Sequence, residues 1–112
     1  MSLHLSDNIW ERIMTTILKS FLDAEGRLTA YPAKRKMKLY ALSYMAGFFE
    51  HDKVYTEKEV NALLNEHHTY GDPATLRREL FNHRFLDRDD YGKEYRLADA
   101  LPTIEELERL YG

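Results

Sequence analysis

Apolar residues in this chain come in bursts spaced three and four apart, the period of an amphipathic helix. The first burst runs from Asp7 to Leu22, with Ile9, Trp10, Ile13, Met14, Ile17, Leu18, Phe21 and Leu22 in recurring pairs, and Ser6 or Asp7 can cap it. Asp23-Ala24-Glu25-Gly26 reads as a helix stop, and Arg27-Leu28-Thr29 as a short extended piece. Pro32 suits a first helical position, where its missing N–H would have no partner. A second helix is expected from about Pro32 to Phe49, burying Met37, Ala41, Tyr44, Met45 and Phe48, with Tyr40, Leu42 and Phe49 widening the stripe.

Beyond it the elements shorten. Lys53-Val54-Tyr55 has room for one strand, and Thr56-Glu57-Lys58-Glu59 is a capping box that starts a third helix at Glu57. That helix buries Val60, Leu63 and Leu64 and frays near His67, before a turn containing Gly71. Asp72 and Pro73 supply a cap and a first-position proline for a fourth helix ending near Asn82. Phe85 to Arg88 and Lys93 to Leu97 flank the turn-forming Asp89-Asp90-Tyr91-Gly92 as a hairpin. Thr103 to Glu106 is a second capping box, opening a short last helix with Ile104, Leu107 and Tyr111 on one side.

From Ala33 to Ala98 the order is helix, strand, helix, tight turn, helix, hairpin, which is the winged helix-turn-helix order. The expected fold is therefore mainly α with a small β-hairpin, an α+β chain in which one extra helix flanks the winged unit on each side. Its 112 residues suffice for one core, so residues 1–112 are expected to form a single domain. That domain divides into an N-terminal helix at 7–22, the winged unit at 27–98 and a C-terminal helix at 103–111.

Composition narrows the class. Apolar residues make up 44% and charged residues 31%, and no apolar run approaches the roughly 18 residues of a membrane span. Cysteine is absent and the first residues lack the pattern of a signal peptide, so a cytoplasmic, bacterial-type location is expected. The net charge of −3 opposes nucleic-acid binding, but its distribution does not: from Arg27 to Arg96 there are 13 Lys and Arg against 11 Asp and Glu. The acidic excess lies in the terminal segments.

Two clusters carry candidate chemistry. Lys34, Arg35, Lys36 and Lys38 crowd the start of the second helix, where they oppose the macrodipole and repel one another, an arrangement that a phosphate backbone would relieve. With Leu76 and Leu80 inward, the fourth helix presents Ala74, Thr75, Arg78 and Asn82 outward, flanked by Arg77 and Glu79, and farther on by Arg84. Arg and Asn are the residues that grip guanine and adenine edges, so Thr75, Arg78 and Asn82 are the expected base readers and the four cations the backbone contacts. The alternative for this helix is a solvated face whose arginines pair with carboxylates such as Glu59 or Glu79. The hairpin interleaves Arg88, Lys93 and Arg96 with Asp87, Asp89, Asp90 and Glu94, which makes it a poor DNA grip. No nucleophile motif, phosphate loop or metal spacing appears, and His67 and His68, about 100° apart on a helix, cannot share a metal. Neither an enzyme nor a cofactor is expected.

The words GRLTAYPAKRKMKLYAL (Gly26 to Leu42), YTEKEVN (Tyr55 to Asn61) and DPATLRREL (Asp72 to Leu80) carry a resemblance. Over about Phe21 to Arg96 the chain resembles the bacterial domain-of-unknown-function family 2087. Some members of that family are joined to helix-turn-helix regulator domains, which implies work in transcription. The chain departs from the family pattern after the fourth helix, where relatives usually place a glycine and this chain has Asn82-His83-Arg84-Phe85.

The resulting expectation is a DNA-binding winged-helix protein of transcription regulation, with double-stranded DNA as partner. The stripe Trp10, Ile13, Met14 and Ile17 is expected to pair two copies as a homodimer, setting recognition helices roughly 34–36 Å apart, the alternative being a monomer in which this first helix closes the chain's own core. The alternative is a non-catalytic protein-interaction module on the same scaffold.

Overall fold

The computed structural model describes the backbone of residues 2–111 and the side chains of residues 9–110. Its elements are α1 (Ser2–Ile17), α2 (Arg35–Ala46), β1 (Tyr55–Thr56), α3 (Glu57–Glu66), α4 (Pro73–Asn82), β2 (Leu86–Arg88), β3 (Glu94–Leu97) and α5 (Ile104–Tyr111), with a 3-10 turn at Lys19–Phe21. The fold is α+β, as the pattern predicts. The sheet is antiparallel with strand order β1-β3-β2, so the expected lone strand instead joins the hairpin, Tyr55 facing Tyr95 and Thr56 facing Glu94.

Local chemistry sets most element ends. The Thr56 hydroxyl accepts the Glu59 N–H at 3.1 Å while the Glu59 carboxylate accepts the Thr56 N–H at 2.8 Å, and the same reciprocal pair joins Thr103 and Glu106. These N–H bonds hold both glutamates below the usual carboxylate range. Asp72 caps α4 by accepting the Thr75 N–H at 3.1 Å. At the far end of α4 the Phe85 N–H donates to Leu80 O and the Arg84 N–H to Phe81 O, the two bonds of a Schellman motif. The motif needs a left-handed residue, and Arg84 takes it with φ of 68°.

Four boundaries differ from expectation. α1 already begins at Ser2 and ends at Ile17, because Leu22 turns extended to pair with Leu28. The expected caps Ser6 and Asp7, and the side chain of Tyr111, lie outside the described side chains. α2 starts at Arg35, not Pro32, and stops at Ala46, not Phe49; Pro32 is buried beside the entering chain.

One core collects residues from every helix: Leu18, Leu28, Leu39, Leu42, Met45, Val60, Leu64, Leu76, Leu80, Phe85, Leu86 and Leu107 are all nearly or fully buried. Each such side chain contributes about 1.5–3 kcal/mol by leaving water. Met37 and Phe48, expected inside, are half-buried at its edge, whereas Leu39 takes an inner place. α1 covers this core through Met14, with Leu18 just past its end, and Trp10 stacks on Tyr44 of α2 with centroids 6.3 Å apart. α5 lies on the other part of α2 and inserts Leu107. Among the described residues no helix is long and apolar enough to cross a membrane.

Candidate nucleic-acid interface

α4 is oriented by its two leucines. With Leu76 and Leu80 fully buried, the opposite side, Ala74, Arg78 and Asn82, is exposed, while Thr75 is half-buried next to the capping carboxylate of Asp72. Burial and the N–H of Thr75 compete at Asp72, and the hydrogen bonds win, holding its carboxyl low, with the Arg78 charge acting in the same direction. The Asn82 amide donates to Glu79 at 3.3 Å, so this outward residue is oriented by its own helix.

The two arginines of α4 have different tasks. Arg77 donates to the Asn61 side chain and lies 3.6 Å from the Glu57 carboxylate, tying α4 to α3. Its partner is thus Glu57 rather than Glu59 or Glu79, and its side chain is 18% exposed, too little for an open phosphate contact. Arg78, one position on, stays at the surface. Arg84, expected as the other flank, sits at the left-handed corner and its charge acts on Glu106 of α5.

Each flank of the exposed α4 face is basic. On one side Arg35 and Lys38 line a cleft of about 430 Å³ with Glu79 and His83. The Lys38 ammonium lies 5.6 Å from the Tyr31 ring, whose hydroxyl donates to Glu79 at 3.4 Å. Burial and that carboxylate push the Tyr31 hydroxyl up, so it stays a donor. Lys34 occupies the cap position of α2, no side chain caps this end, and the first turn holds no acid. Lys36 is exposed, but by helical period it points about 160° from Lys38, so the four cations split between two directions.

On the other side, a groove of about 400 Å³ separates α4 from the hairpin, with Arg78 and Asn82 on one wall and Arg88 and Tyr91 on the other. The Arg88 guanidinium stacks 4.1 Å above the Phe81 ring. Tyr91 is 84% exposed at the hairpin tip. Neither was expected in the site. The acids that argued against this hairpin are partly structural: Asp89 accepts the Lys93 N–H at 2.7 Å and the Glu94 N–H at 3.3 Å, which lowers its carboxyl and closes the turn. A tyrosine inside an Asp-Asp-Tyr-Gly turn was the available signal, since nothing in the core asks for an aromatic there.

The proposed dimer stripe is divided. Met14 is buried in its own core, Trp10 packs on Tyr44, Ile17 is half-buried, and Ile13 is left 53% exposed together with Ile9.

In comparison with known proteins, the family model described as an uncharacterised protein conserved in bacteria (DUF2087) matches residues 27–97, more than half of the 112. No curated protein and no solved structure matches the chain.

Proposed function

We propose that this protein, which belongs to the DUF2087 family of bacterial proteins, is a cytoplasmic DNA-binding protein of transcription regulation that reads duplex DNA with a winged helix-turn-helix formed by α2 to β3. The observation that supports the reading is the placement of the exposed face of α4 between two basic flanks, Arg35 with Lys38 on one side and Arg88 on the other. A helix of this width fits the major groove if its exposed face carries no bulky apolar residue, and Ala74, Arg78 and Asn82 satisfy that. Lys34, Arg35 and Lys38 would hold the phosphate backbone, with Lys36 turned away from them; Thr75, Arg78 and Asn82 would hold the base edges, and the hairpin the adjoining strand.

Salt response tests it. Each phosphate contact contributes a slope near −0.9 in log K against log salt, so Lys34→Gln with Arg35→Gln lowers the magnitude by up to about 2. Arg78→Ala weakens binding about tenfold without altering the urea midpoint, whereas Arg77→Ala lowers the midpoint. Absence of any binding to duplex DNA by fluorescence anisotropy at low salt would end this reading.

Ile9 and Ile13, exposed one turn apart on the outer side of α1, favour a second element of the reading, a homodimer closed through these residues rather than through Trp10 and Met14. Its check is the molar mass in solution, with Ile13→Glu returning a dimer to monomer. A monomer without affinity for DNA would favour the rival reading, a protein-interaction module.

A further inference from the structure

At its C-terminal end α2 opens into a cavity of about 790 Å³, bounded by α1 and by the segment leading into α5. This is the end of α2 opposite Lys34 and Arg35, and the volume lies within the roughly 300–1,000 Å³ of small-ligand sites. Its walls are aromatic. Trp10 and Tyr44 stack with an interplanar angle of 14°, Phe48 meets Tyr44 edge-on at 5.1 Å, and Phe85 contributes from beyond α4. The charged lining is acidic, Glu11 from α1 and Glu50 from the loop after α2, with His51 next to them and no Lys or Arg.

Glu50 already holds Lys53 at 3.4 Å. Among the described residues no ion pair joins Glu11, and its charge acts with burial to push the Tyr44 hydroxyl up. The last turn of α2 has no basic residue, so the negative end of its dipole is not offset there. Aromatic faces, an unpaired carboxylate and a helix C-terminus all attract positive charge.

We propose that this cavity binds a small organic cation, an ammonium carrying an aromatic or branched alkyl body, with the charge beside Glu11 and the body on the Trp10 and Tyr44 rings. An anion is repelled by all three features. A neutral apolar ligand leaves the carboxylate without a counter-charge. The site is remote from the α4 face, so its occupancy is measured without DNA.

Trp10 is the sole tryptophan of the chain and lines the cavity, so its emission reports on binding. Benzyltrimethylammonium is the probe and benzenesulfonate its anionic counterpart. The cation is expected to change the emission saturably and the sulfonate to leave it unchanged. Glu11→Gln, at an exposed position that tolerates the amide, is expected to weaken the cation about three- to tenfold. Amide NMR shifts induced by the cation should concentrate at Ser43 to His51. A response that does not saturate, equal responses to both ions, unchanged affinity in Glu11→Gln, or shifts located elsewhere would each overturn the proposal.

Discussion

The Nε2 atom of His68 accepts the backbone N–H of Asp72 at 2.9 Å, and the Nδ1 atom of the same buried ring lies 2.7 Å from the Leu64 carbonyl oxygen. The ring therefore spans the turn from α3 to α4, and its far end rests on the residue that caps α4. The same turn is clamped from outside by Leu28, whose N–H donates to His67 O while its carbonyl accepts the Thr69 N–H. Gly71, at φ of 67°, supplies the left-handed step that brings the chain back to Asp72.

An acceptor role at Nε2 requires the proton to sit on Nδ1. We expect nitrogen NMR to show the Nδ1–H tautomer in the folded protein at neutral pH. His68→Phe keeps the volume but strands the Asp72 N–H, since the Leu64 carbonyl still accepts the His67 N–H, and should cost about 1–3 kcal/mol in urea unfolding. The opposite tautomer, or an unchanged midpoint, contradicts this placement.

Arg84 is expected to be a position where a smaller residue improves the fold. A side chain in the left-handed region costs about 1–2 kcal/mol, of which glycine returns a part as unfolded-state entropy. Arg84→Gly should raise stability by roughly 0.5–1 kcal/mol, since the surface charge it removes near Glu106 contributes little. A lowered melting temperature would refute the strain at this corner.

His67 lies face to face with Phe48, centroids 3.6 Å apart, and burial lowers its pKa below the ordinary 6.5. The unfolded chain then binds more protons than the folded one below that value. Stability should be full above about pH 6.5 and decline as pH falls from there toward the folded pKa. His67→Phe preserves the stacking and removes this part of the dependence, so parallel urea-midpoint curves for the two proteins between pH 5 and 7 would sink the assignment.

Gly47 is placed by a close approach. A Cβ built there would meet the Trp10 ring at 2.7 Å, well inside van der Waals contact. Gly47→Ala should push the indole off Tyr44, shift tryptophan emission toward the solvent-exposed wavelength and destabilise by about 1–3 kcal/mol. Emission identical to that of the unsubstituted protein would mean that α1 does not rest on α2 in this way.

Much of the fold was legible because its signals are short-range. Thr56 and Glu59, Asp72 and Pro73, and Thr103 and Glu106 settle helix starts within three residues, and the inward pair Leu76 and Leu80 orients α4 through helical period alone. The outward position of Arg78 and Asn82 followed from the same arithmetic. Less could be read at the edges. Pro32 looked like a helix start, yet it is buried in the chain that enters α2. The departure at Asn82-His83-Arg84-Phe85 marked the corner without showing that Arg84 would adopt the left-handed backbone itself.

By itself, then, the sequence determined the order of the elements, the caps of α3, α4 and α5, the buried face of α4 and the segregation of positive charge into the middle of the chain, because all of these depend on neighbours a few residues away. Tertiary structure alone decided which polar groups meet. Arg77 reaches Asn61 and Glu57 on α3, Arg88 crosses to Phe81, Lys38 comes within reach of Tyr31 and through it Glu79, and Trp10 and Met14 turn to their own core. These pairings cross between separate segments of the fold, and the strength of each depends on burial and approach that no local period encodes.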